Sequence, residues 1–391
     1  MSSKTLIDVH QYNLKFSFSI SEIAKDWSCL EHDNTYLSID YLTALEQSDI
    51  DHLRYVYVVI YRFDRPVGVM YFQSIDISKI LQHKGAVQKQ IKTLLAKTMA
   101  KRFSGQLLLC GNFFATGVNG FVIEDDVPPH VISDITRKLR KELRNVSEPI
   151  DSCLTLFKEF WKENKIDLQS VLLHHHNRFE IDVNMILTLS SHWTSFEKYL
   201  FGMKTKYRRR AKKTYEETLH VQQKKLNAKE IKSYSKTIHQ LYLSVVNSAE
   251  FNVVTLSDNS FYLLKQSLGD KFTFTGYFID HNMVAFSTAC KTENYLDANY
   301  VGINYDLNQR IPLYQRVLYD YVSLAIHKRV EELRLGRTAE LIKSSLGAEP
   351  KTMYLYLEHN HRLGQVLLKP LLRIIEPNPI ELRNPFKKTL K

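Results

Sequence analysis

The chain reads as a mixed α/β protein built from two related halves. Stretches with a polar–apolar period of two alternate with stretches at helical spacing, which calls for sheets with helices on their faces. Two hairpin patterns echo each other: Tyr61, Asp64 and Val67 fall at the same mutual offsets as Tyr277, Asp280 and Met283. The 22 Tyr and 20 Phe suit well-packed, strand-rich domains. With 391 residues there is room for two such domains, each with its own core.

The elements follow in order. Residues 1–50 read as a strand and two helices, the second at Ser38–Leu45. Tyr55–Tyr61 and Val67–Phe72 form the first hairpin about a turn at Arg62–Pro66. Gln88–Lys101 has helical amphipathicity, and Gln106–Cys110 is a short buried strand. Gly111–Gly120 is a Gly- and Asn-punctuated loop that can line an acceptor cleft. Pro128–Arg144 is a basic helix, and Leu154–Lys162 is another, or its continuation after a break near Pro149. The second half opens with the strand Arg178–Leu189 and a long helix, Trp193–Thr218. Lys229–Val246 and Ser260–Leu268 are helices. Phe272–Ile279 and Met283–Cys290 form the second hairpin, Tyr295–Gly302 a third strand, and Pro312 opens a further helix. In the internal echo, Gln106–Cys110 pairs off with Glu331–Leu335. The domain boundary is expected near 170, giving domains 1–170 and 171–391.

Charge and cysteines narrow the function. A formal charge of +11 asks for an anionic partner: nucleic acid, a nucleotide cofactor or anionic lipid. Four scattered cysteines, without paired spacing, argue for reduced thiols and a cytoplasmic location, and against a Cys-built zinc site. The N-terminus lacks the apolar core of a signal peptide, and the longest strongly apolar run is strand length. The apolar 367–375 stretch with Arg383, Lys387 and Lys388 can touch an anionic inner leaflet, or pack as an ordinary C-terminal segment.

Glu331–Gly347 organises the rest. It reads as a buried strand through Leu333 and Leu335, a Gly336–Arg337 turn, and a helix capped by Thr338. Arg337 and Lys343 can converge on one anionic group; otherwise Arg337 pairs a local carboxylate and Lys343 is solvated. Lys204–Lys213 holds seven basic residues in ten. Lys206, Arg208 and Arg210 are its candidate phosphate-binding groups, against a merely solvated helix. His174–His176 lacks partners at ligand spacing and reads as a surface segment, so no metal is expected.

These pieces together resemble the FemAB-like, tandem branch of the Gcn5-related N-acetyltransferase superfamily. The resemblance runs over about 155 residues: Trp193–Glu197 with Tyr199 and Leu200, Lys206–Arg208, the hairpin Phe272–Cys290, Tyr300 and Gly302, Pro312–Leu313, Leu335–Arg337, Lys343 and Gly347. Residues 1–190 match in outline as the first copy. The resemblance implies two tandem acyl-CoA N-acyltransferase domains. It implies acyl transfer to an amine on a small molecule, sugar or cell-envelope precursor, with acyl-CoA as co-substrate, no metal and no DNA. It marks Tyr300 as proton donor to the leaving group and Asp297 as the carboxylate that takes the amine proton. Many single-domain members hold the coenzyme pyrophosphate on a Gly-rich loop; here Gln309–Leu313 has no glycine. That leaves aminoacyl-tRNA as an alternative donor, and a non-catalytic binding protein of the same fold as a further alternative.

Overall fold

A computed structural model describes residues 11–78, 105–117, 120–161, 177–248, 253–361, 364–366, 368 and 381–387. The expected helix at 88–101, the histidine run at 174–176, nearly all of 367–375, Lys388 and the 170/171 boundary lie outside them. The chain divides into two units. The first holds Met1–Glu46, Asp51–Glu180 and Tyr354–Glu376; the second holds Gln47–Ile50, Ile181–Met353 and Pro377–Lys391. Residues 354–376 thus count with the first unit, whereas the sequence assigns all of 171–391 to the second. Tyr356 explains it: the side chain is fully buried in the first unit's core.

In the first unit the strands are β1 (Tyr12–Ser17), β2 (Arg54–Arg62), β3 (Arg65–Asp76), β4 (Gln106–Cys110), β5 (Phe121–Ile123) and β6 (Ser152–Trp161). The order is β1-β2-β3-β4-β6, with β5 on β3. Pairing is antiparallel through β4, and β4 runs parallel to β6. Helices α1 (Ala24–Trp27) and α2 (Ile39–Gln47) precede β2, and α3 (His130–Glu142) crosses between β4 and β6. Val131, Ile135 and Leu139 recur every four residues on α3, and they pack with Val56, Val58 and Ile60 of β2. Each such side chain contributes about 1.5–3 kcal/mol on burial.

The loop after β4 is tied to β6. Lys158 Nζ donates to the carbonyls of Asn112 (3.0 Å) and Ala115 (2.6 Å) and pairs with Glu159 Oε1 at 2.9 Å. Gly117 N donates to Glu159 Oε2 at 2.7 Å. Glu159 is fully buried with φ 62°, so β6 kinks here. Residues 111–117, expected to line an acceptor cleft, are therefore anchored by a buried ion pair of their own unit.

The second unit repeats the plan. Its strands are β7 (Asn177–Thr188, counted with this unit from Ile181), β8 (Gln222–Lys225), β9 (Phe272–Ile279), β10 (Asn282–Lys291), β11 (Tyr295–Ile303) and β12 (Glu332–Arg334), in the order β7-β12-β11-β10-β9-β8. Strands β8 to β11 pair antiparallel, and β11 is parallel to β12. The last strand, β13 (Glu349–His359), passes from Met353 into the first unit. The helices are α4 (Phe196–Gly202), α5 (Thr205–Glu217), α6 (Ala228–Ser233), α7 (Ser235–Ser248), α8 (Ser260–Leu268), α9 (Tyr305–Arg310), α10 (Leu313–His327) and α11 (Glu340–Ser344). Leu313, Val317, Tyr321 and Ala325 of α10 enter the core with Leu296, Ile303 and Leu333. Among the described residues no helix is long and apolar enough to cross a membrane. The four cysteines form no disulfide with one another.

The repeat is real in topology, but its register differs from the sequence reading. Gln106–Cys110 corresponds to β11, the antiparallel partner of the hairpin, and Glu332–Arg334 corresponds to β6. The longer link between β3 and β4 hides this in the sequence. Leu154–Lys162 is not a helix. It is β6, where apolar side chains face both ways because a parallel strand is covered on both sides. The long helix Trp193–Thr218 is two, α4 and α5. Met203 adopts extended backbone between them and bridges to Phe386. Residues 381–387 form a strap there. Phe386 lies against Trp193 (4.9 Å) and Tyr199 (5.8 Å), and Lys204 N donates to Pro385 O at 2.8 Å.

Candidate functional site

Strands β11 and β12 touch over only three parallel pairs, Tyr295↔Glu332, Leu296↔Leu333 and Asp297↔Arg334. Beyond Asp297 they part. On its other edge β11 pairs with β10 as far as Ile303, but with one residue too many. Ser287↔Val301 and Ala289↔Ala298 leave Asn299 and Tyr300 both facing Thr288. Thr288 Oγ1 fills the bulge by accepting from Tyr300 N at 3.0 Å. A bulge bends and twists its strand, so β11 turns away from β12 at this place.

Strand β12 ends in a second irregularity. Leu335 N donates to Met185 O (2.8 Å), while Met185 N donates to Gly336 O (3.0 Å), so two residues oppose one. Gly336 (φ 71°), Thr338 (φ 59°) and Ala339 (φ 54°) all have left-handed backbone. The helix therefore starts at Glu340 after a left-handed Ala339, not after a capping Thr338 as the sequence suggests. A β-branched residue at positive φ is strained, and its neighbours must hold it there.

Lys343 does much of that holding. The residue is 4 % exposed, and its ammonium donates to the carbonyls of Gly336 (3.3 Å) and Arg337. The structure thus joins Lys343 to Arg337 through the backbone, with the lysine charge turned onto the turn. Arg337 emerges just past the bulge. Burial draws its pKa down to about 10, still well above neutrality, so it stays a cation.

Asp297 is 2 % exposed, level with Arg334 on β12. Arg334 lies 3.4 Å above the Tyr295 ring and pairs with Glu332 at 3.1 Å. By the strand period of two, Tyr295, Asp297, Glu332 and Arg334 share one face of the sheet. Tyr300, shifted by the bulge, packs edge-on against Tyr242 (5.9 Å) and Phe261 (5.6 Å). Asp297 and Tyr300 therefore flank the point where the strands part. Sequence reasoning missed Arg334. Its signal was the alternation Glu332-Leu333-Arg334-Leu335, which puts both leucines in the core and the ions on the opposite face.

The basic residues stand elsewhere in the unit. Lys206 and Arg210 on α5 are exposed and Arg208 is half-buried; Arg210 Nε donates to Gln315 Oε1 at 3.3 Å, at the start of α10. Helix α5 leans on α10 through Tyr215 Oη, which donates to Asp320 Oδ1 at 2.9 Å, and through Arg316 Nη1, which donates to Thr218 Oγ1 at 3.0 Å. Burial raises the pKa of Asp320, opposed by the adjacent Arg316. The first amides of α10 are already used by the residues before it: Leu313 N donates to Ile311 O and Tyr314 N to Oδ1 of Asn308 on α9, both at 2.8 Å. Among the described residues no cluster of His, Cys, Asp or Glu fits a metal ion.

No family model matches the chain, and no curated protein matches it in sequence. Solved structures do. FemX aligns over 91 % of this chain and 99 % of its own, with a TM-score of 0.54 at 8 % identity. The tandem GNAT protein from the clavulanic acid biosynthesis pathway aligns over 89 % and 98 %, at TM-score 0.48 and 11 % identity. L-PGS from Bacillus licheniformis aligns over 79 % and 86 %, at TM-score 0.46 and 10 % identity. The FemX likeness, together with a topology repeated in both units, shows that this chain has the fold of the Gcn5-related N-acetyltransferases, present in tandem.

Proposed function

We propose that the protein is an acyltransferase that moves an acyl group from an acyl-CoA type donor to an amine, with the chemistry at the parting of β11 and β12. The amine acceptor belongs to a small molecule, a sugar or a cell-envelope precursor. The observation that carries the reading is the bulge at Asn299–Tyr300, one step past the last β11–β12 pair. Bound there, a thioester carbonyl can take a hydrogen bond from a β11 backbone N–H. Asp297, directly or through water, accepts the proton of the attacking amine. Nitrogen adds to the carbonyl carbon, and the tetrahedral intermediate expels the thiolate. Tyr300 returns a proton to sulfur. Most of the acceleration comes from holding the two substrates together, which is why few side chains are needed.

One observation favours a second donor. The α10 amides that would cradle a pyrophosphate are bonded to Ile311 and Asn308, and the cations of α5 stand beside them. That arrangement suits a long polyanion, and aminoacyl-tRNA supplies one with an activated ester. The purified protein should be assayed with labelled acetyl-CoA and with charged tRNA against a panel of amines. Transfer from either donor, reduced at least tenfold in Asp297→Asn and in Tyr300→Phe, supports the reading. No transfer from either, with tight binding of a small ligand, would make the protein a binding module on a transferase fold.

A further inference from the structure

Asn184 lies on β7, fully buried, and among the described residues neither its Oδ1 nor its Nδ2 has a hydrogen-bond partner. A buried carboxamide with every bond unmade is costly, and native proteins rarely keep one without a use. Its place in the sheet suggests the use. Ile186 pairs with Arg334, and Arg334 pairs with Asp297, so these three share one face. Asn184, two residues before Ile186, faces the same way. Because Leu335 and Gly336 both oppose Met185, Arg337 comes level with Asn184.

We propose that Asn184, with Arg337 level with it, is a subsite for a carboxylate flanked by an N–H, so that the amine acceptor carries an acid group, as an amino acid or a peptide end does. The inference deepens the transferase reading and rests on it for the word acceptor. Asn184 Nδ2 donates to one carboxylate oxygen, and Oδ1 accepts from the neighbouring N–H. Arg337 supplies the opposite charge, with a planar fork that matches a carboxylate. A phosphate fits less well. The ammonium of Lys343 is bonded to the carbonyls of Gly336 and Arg337, and Asn184 Oδ1 would face phosphate oxygens.

The test is calorimetric titration of the full chain with N-acetylglycine, without any acyl donor. N-acetylglycinamide, which lacks the carboxylate, should bind at least tenfold more weakly, and inorganic phosphate should not displace the probe. Asn184→Leu should weaken N-acetylglycine at least tenfold and leave the melting temperature equal or higher, because it removes an unsatisfied polar group. Equal affinity for the acid and its amide in the unaltered protein would overturn the proposal, whether or not the variant folds. So would wild-type affinity in Asn184→Leu, or tighter binding of phosphate than of N-acetylglycine. The titration involves no chemistry, so its outcome is separate from the transferase assay. Probe binding without acyl transfer would retire the catalytic reading and keep the subsite.

Discussion

Lys343→Met is the substitution with the clearest expected cost. From sequence alone, Lys343 is a charge for ligand, and its loss should impair activity with little effect on stability. The structure reverses that order. Lys343 is 4 % exposed, and its ammonium holds the Gly336 and Arg337 carbonyls, at the end of a bulge and just before two left-handed residues. Methionine has nearly the same length and volume, so the cavity term is small. What remains is two carbonyls deprived of a charged donor. Each such bond contributes about 1.5–3 kcal/mol, and relief of the buried ammonium offsets part of it. A net loss of roughly 2–3 kcal/mol follows. For a domain of this size each kcal/mol lowers Tm by about 2–4 °C, so the transition should move down by about 4–12 °C. Scanning calorimetry of both proteins reads this directly. A Tm within about 1 °C of the parent would refute the idea that Lys343 holds the turn.

Other perturbations separate structural ions from working ones. Lys158→Met takes the ammonium away from buried Glu159 and from the carbonyls of Asn112 and Ala115, and should cost about 3–5 kcal/mol in urea unfolding. Exchanging Arg208 and Arg210 together for Glu should leave Tm nearly unchanged, since neither has an ion pair among the described residues. Binding of coenzyme A or tRNA at low salt should nonetheless fall at least tenfold; unchanged binding would clear α5 of any role. Burial raises the folded pKa of Asp320 above its ordinary 3.8. A group raised in the folded state binds its proton more readily there. Its ionised form therefore costs stability above the folded pKa, and the cost is relieved as pH falls through that value. Arg316→Met removes the main opposing charge and moves the relief to higher pH. The gap in Tm between variant and parent should be wider at pH 7.5 than at pH 5; a constant gap would contradict the assignment.

Legibility followed how each segment is buried. The hairpin β2–β3 was plain because its strands are unbroken apolar runs, and β9 because it alternates. Helix α10 was plain because one face repeats every three or four residues. Strand β6 was not, because it carries Lys158 and Glu159 inside the protein, a pair that makes sense only once residues 111–117 are folded onto it. The break between α4 and α5 was hidden for a like reason: its cause, Phe386, lies more than 180 residues away in the chain. Asp297 and Tyr300 could be named as residue types at the right strand. The bulge that sets them apart depends on register with Thr288, which no local pattern encodes. Asn184 was invisible, since one Asn within Arg178–Leu189 looks like any polar position until its burial is known.

The strap at 381–387 makes the second unit separable in an unusual way. Phe386 occupies a socket lined by Trp193, Tyr199 and Gly347, and a Cβ at Gly347 would collide with the Phe386 ring. The socket is made by residues far earlier in the chain, so the segment that fills it is in effect a built-in peptide ligand. A chain ending before the strap should offer a vacant aromatic receptor, and a synthetic heptapeptide of 381–387 should dock there in trans. The protein can then be cut into a body and a detachable plug whose occupancy reports, by tryptophan fluorescence, on the packing beneath it.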